Sequence, residues 1–102
     1  MNTHRIDFRR KAWEQSGPSV RMKLHREGDT QVRLVEFSKG FVETGWCRKG
    51  HVGYVLNGRL KVSFSGRMEV FQAGDGVFIP AGKNHQHKAH VLTDTATLIL
   101  IE

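Results

Sequence analysis

The chain is poor in cysteine, proline, acidic residues and long apolar runs, and each shortage excludes something. Cys47 is the only cysteine among 102 residues, so no internal disulfide can form and the thiol is free for packing, reactivity or metal. Two prolines against eleven glycines, with 38% hydrophobic and 25% charged residues, exclude a disordered or fibrous chain and fit a compact, turn-rich domain. The longest apolar run, Leu98-Ile99-Leu100-Ile101, cannot span a bilayer, and the first seven residues lack the apolar stretch of a secretory signal. These features predict a soluble protein of the reducing cytoplasm. The length allows one domain with one modest core and leaves no room for a separate catalytic or DNA-binding domain.

Acid is scarce chiefly at the start. Sixteen lysines and arginines outnumber ten aspartates and glutamates for a net charge of +6, and residues 1–26 carry +5 of it: seven basic residues against Asp7 and Glu14. Phe8 and Trp13 are interleaved with this charge. The segment reads as a basic leader over residues 1–19, loosely docked and dispensable, ahead of a main domain over residues 20–102. No helix-turn-helix or zinc-finger pattern accompanies it, so nucleic acid is not the expected partner.

What is present is β-structure. Val20, Met22 and Leu24 alternate with Arg21, Lys23 and His25, the period of a half-buried strand, and Glu27-Gly28-Asp29 turns the chain into a second strand through Phe37. A further strand is expected from Phe41 to Cys47. Asn57-Gly58, between Gly53-Tyr54-Val55-Leu56 and Arg59 to Phe64, predicts a hairpin with a type I′ turn. Leu60, Val62 and Phe64 then face the core. In the final strand both faces, Ala96, Leu98 and Leu100 on one and Thr97, Ile99 and Ile101 on the other, are apolar enough to predict burial on both sides. Eight or nine short, evenly spaced strands predict an all-β jelly-roll barrel.

The most distinctive stretch runs from Gly74 to His85. Gly74-Asp75-Gly76 is turn chemistry, Val77-Phe78-Ile79 is a strand, and Pro80-Ala81-Gly82 bends the chain again. The pattern of a glycine, five residues, Pro-x-Gly, two residues and histidine resembles the second conserved motif of the cupin superfamily. Gly53-Tyr54-Val55-Leu56-Asn57-Gly58 resembles the end of that family's first motif. Over roughly residues 30–102 the resemblance implies a double-stranded β-helix, the cupin barrel, and commonly a homodimer.

The resemblance also implies a site, with departures. Upstream of Tyr54 the family usually carries two histidines one residue apart and then a glutamate; here the corresponding positions are Gly45, Cys47 and His51. With the second-motif histidine, the surviving set is Cys47, His51 and His85. The two bends put His85 at the start of the next strand, so His85 and His87 share one face, and His87 would complete the set. Thiolate and imidazole suit zinc, nickel, copper or ferrous iron; the family also uses manganese. Cys47 as a packed apolar side chain and the histidines as hydrogen-bonded lining is the alternative. Glu36 and Glu43 sit in alternating strands and are read as solvent-facing. Two functions follow: a small metal-dependent enzyme of unread substrate, or a metal-free barrel that binds or senses a small molecule.

Overall fold

The computed structural model describes residues 4–102. After a short 3-10 turn at Phe8–Arg10, nine strands follow: β1 (Glu14–Gly17), β2 (Val20–Glu27), β3 (Thr30–Ser38), β4 (His51–Asn57), β5 (Arg59–Phe64), β6 (Arg67–Gln72), β7 (Gly76–Ile79), β8 (His87–Val91) and β9 (Thr95–Ile101). They form a six-stranded sheet in the order β1-β2-β3-β9-β4-β7 and a three-stranded sheet in the order β6-β5-β8. Every ladder is antiparallel. The architecture is the all-β double-sheet barrel expected from the sequence.

The period-2 pattern decides what lies inside. Val35 pairs with Leu98 and Leu98 with Val55 across the large sheet, and Leu60, Val62 and Val91 face them from the small one; all are buried. Val35 and Val55 are essentially inaccessible to solvent. Burial of a side chain of this size is worth about 1.5–3 kcal/mol.

Three details differ from the sequence reading. Asn57-Gly58 does not close a hairpin: β4 pairs with β7 and β9, whereas β5 pairs with β6 and β8. Of the two residues only Gly58 has positive φ, at 79°, and a type I′ turn needs it at both. The chain therefore turns a corner from one sheet to the other. The stretch 41–47 is not a regular strand; it touches β8 through isolated bridges, Val42 to His90 and Cys47 to His87. Between them the Glu43 side chain accepts the N–H of Ala89, replacing a ladder bond. Finally, the second face of β9 is covered only in part: Thr97 is buried and Ile99 half-buried, but the cover ends before Ile101. Ile101 is 48% exposed, because the large sheet packs against a partner sheet on its inner side alone.

The large sheet begins inside the segment read as a leader. Ser16-Gly17-Pro18-Ser19 is a reversal rather than a boundary, since β1 pairs with β2 from Glu14 to Gly17. Trp13 lies beneath Arg21 and Lys23, whose charged ends stand 4.2 and 4.9 Å from its ring centre, and Lys23 Nζ donates to the Phe8 carbonyl at 2.7 Å. The basic charge of this region thus covers an aromatic ring. No helix among the described residues is long and apolar enough to cross a membrane.

Candidate metal centre and cavity

Between the sheets lies a cavity of about 320 Å³. Its walls are mostly aliphatic and aromatic, with Phe41, Phe71, Leu98 and Leu100 among them, and its polar side carries Cys47, His51 and His87. One ligand atom from each of these three lies within 4.8 Å of the other two, a cluster that could hold one ion if the side chains draw in slightly around it.

Each side chain is aimed by the fold. His51 opens β4, where pairing with Ile79 turns its ring inward from the large sheet. His87 opens β8, opposite Phe64 in the small sheet, and is 3% exposed. Cys47 is locked to β8 by a reciprocal pair: its N–H donates to the His87 carbonyl at 2.8 Å, and the His87 N–H donates back at 2.9 Å. The intervening loop is held as well. The Gly82 N–H donates to the Arg48 carbonyl at 2.9 Å, and a Cβ on Gly50 would sit 2.9 Å from the Ala81 nitrogen. Only glycine fits there without moving the backbone.

The protonation pattern suits ligation. His87 Nδ1 is 3.0 Å from the His85 carbonyl, which can only accept, so Nδ1 is the donor there and Nε2 is the nitrogen left to face the cavity group. The pKa of His51 is depressed, first by burial and then by the charge His87 can carry. Its imidazole is therefore neutral at neutral pH and able to ligate. Its Nε2 lies 3.9 Å from Cys47 Sγ, and its Nδ1 is buried with no partner among the described residues. An orphaned buried nitrogen is costly, and a donor-seeking ion beside it would relieve that cost.

His85 does not join the group. It is exposed, in a 3-10 turn over Lys83–His85, and its contribution is its carbonyl. β8 starts only at His87, so the alternation that would place residues 85 and 87 on one face does not apply. Glu43, read as solvent-facing, is half-buried and lines the cavity. Arg33 and Lys49 also line it and were not singled out in the sequence; an arginine in an alternating strand carries no local signal of facing inward. Glu36 pairs with Arg21 at 2.8 Å on the outer face.

The model of the cupin domain matches residues 33–102. Among solved structures, an RmlC-like cupin from Shewanella frigidimarina is 22% identical with a TM-score of 0.76, covering 98% of this chain and 89% of that one. KdgF from a Halomonas species is 24% identical with a TM-score of 0.74, covering 94% and 90%. The polyketide cyclase RemF from Streptomyces resistomycificus is 18% identical with a TM-score of 0.79, covering 98% and 78%. At these identities the likeness is one of fold. No curated protein sequence matches the chain.

Proposed function

The chain belongs to the cupin domain family, and from that premise we propose that it is a metal-binding cupin that holds one divalent transition ion on Cys47, His51 and His87 and admits a small molecule to the cavity beside it. The observation that carries this reading is the convergence of one thiol and two imidazoles from separate elements on a point in the cavity wall. A sulfur and two nitrogens suit zinc, copper, nickel or ferrous iron; manganese prefers oxygen donors and fits this set less well. Three protein ligands leave a position open, the arrangement of catalytic rather than structural sites.

When bound, such an ion supplies Lewis acidity and a coordination position for a ligand's oxygen. The chain's own residues do the rest. His87 is fixed in orientation by the His85 carbonyl, Cys47 is fixed by its backbone pair with His87, and the apolar walls exclude water from whatever binds. A thiol used as a ligand must stay reduced, so the proposed setting is the cytoplasm.

The second reading, a metal-free barrel that binds or senses a small molecule, is favoured by the predominance of apolar lining over polar groups. Metal analysis separates the two. Protein purified without added metal and then dialysed against zinc should hold one ion per chain, and should lose it on substitution of Cys47 or His87. Absence of zinc from the folded protein would leave the binding barrel as the answer.

A further inference from the structure

We propose that the ligand of this cavity is a small carboxylate with an apolar body, and that Lys49 is the residue that meets its carboxylate group. The inference rests on the site at Cys47, His51 and His87, since Lys49 stands between two of its members in the chain.

Three charged side chains other than the histidines line the cavity: Arg33, Glu43 and Lys49. Two are already engaged. Arg33 sets Nε and Nη2 both at 2.5 Å from Glu102 Oε1 and points Nη1 at Met22 Sδ at 3.8 Å. Glu43 accepts the Ala89 N–H at 2.9 Å. Lys49 makes no hydrogen bond or ion pair among the described residues. Its side chain is exposed, and it stands where the cavity meets solvent, so an incoming ligand can reach it.

The backbone that carries Lys49 is fixed on both sides, by the Cys47 pair with His87 and by Gly50 against Ala81. The base of the side chain is thus fixed beside Cys47 and His51, while the exposed stem remains free to follow a ligand. Opposite, the walls are Val35, Leu60, Phe71 and Leu98. A ligand that satisfies both sides carries one negative group and an apolar remainder. One unengaged ammonium and a cavity at the small end of the usual range for ligands favour a single carboxylate over a phosphate, which draws on several donors.

Isothermal titration of the zinc-loaded full chain with benzoate, hexanoate, benzamide and inorganic phosphate tests this. At least one of the two carboxylates should bind, benzoate about tenfold or more tighter than benzamide if it is the one that fits, and phosphate should be weaker. Lys49→Met should weaken the carboxylate by about tenfold with zinc content unchanged, and Lys49→Arg should restore it in part. Failure of both carboxylates to bind, benzamide binding as tightly as benzoate, phosphate binding best, or indifference to Lys49→Met would each overturn the proposal. If the chain takes up no zinc, the metal reading fails separately. The same titrations on the metal-free chain then decide this one: a carboxylate preference set by Lys49 upholds it, and its absence ends it.

Discussion

His51 and His87 enter the cavity from opposite sheets, and their rings meet edge to face with centroids 5.2 Å apart. The contact ties the two layers at the polar end of an otherwise apolar interior. Cys47 closes the group without belonging to either sheet's regular ladder, because it bridges β8 by its backbone and approaches His51 by its sulfur.

The histidines predict a sharp contrast. Replacing His87 or His51 with alanine should reduce bound zinc to well below one ion per chain, whereas His85→Ala should leave zinc content as it is. His85 serves the site through its carbonyl, which any residue supplies. Elemental analysis of the purified variants checks this, and loss of metal in His85→Ala with His87→Ala unaffected would reverse the assignment.

That contrast marks where the sequence stops being legible. The turns at Gly74-Asp75-Gly76 and Pro80-Ala81-Gly82, and the alternation of Leu60, Val62 and Phe64, were enough to place the barrel and its core, since each records a local constraint. Which histidine lies inside was not local. It depends on the 3-10 turn at Lys83–His85 delaying the start of β8, and on the pairing of Cys47 with His87 forty residues away. Asn57-Gly58 misled for a similar reason: it has the composition of a hairpin turn, but the strands on either side find better partners in different sheets.

The depressed pKa of His51 predicts an acid-sensitive metal-free protein. In the unfolded chain the imidazole takes a proton near 6.5, whereas in the fold burial and His87 oppose it. The unfolded state therefore binds more protons as pH falls through that value, and stability present above it is progressively lost below. Denaturant midpoints of the metal-free chain at pH 8 and pH 5 should show the decrease, and His51→Gln should make it smaller. A midpoint that does not shift between those pH values counts against the assignment.

Gly53 is a test of the large sheet. A Cβ there would lie 1.9 Å from the Ile99 carbonyl oxygen, a backbone atom that cannot swing aside. Gly53→Ala should cost about 3 kcal/mol, read as a lower denaturant midpoint with the slope unchanged. Gly66→Ala is the control for glycine itself: its cost is the strain of a positive φ alone, because a Cβ there meets nothing.

The N-terminal strand should matter more than its charge suggests. Trp13→Ala removes the ring beneath Arg21 and Lys23 and should destabilise by about 1 kcal/mol, while Arg9→Ala, in a highly exposed pair with Asp7, should change little. Deleting residues 1–17 removes β1 altogether and leaves the edge of β2 unpaired, with a larger loss and a tendency to self-associate. Thermal melts of the variants distinguish these outcomes; a truncated chain as stable as the full one would restore the view of this segment as a dispensable leader.

The outer face of the large sheet predicts self-association of the intact protein. Val52 sits beside Phe78 on one side and Ile101 on the other, and Tyr54 lies one pleat along against Ile99. Phe78 is 77% exposed, although it stands in an edge strand where an aromatic invites pairing. For a chain of net charge +6, two copies meet with least repulsion through the uncharged end of this face, around Val52, Tyr54, Phe78 and Ile101, away from Arg21 and Lys23, and a homodimer joined there by a two-fold axis would cover this patch on both. Light scattering at tens of micromolar, an order-of-magnitude choice for an interface of this kind, should give the mass of two chains, and Phe78→Lys should return the mass of one while zinc content stays the same. A monomer in the unsubstituted protein, or a dimer indifferent to Phe78→Lys, would place the interface elsewhere or remove it.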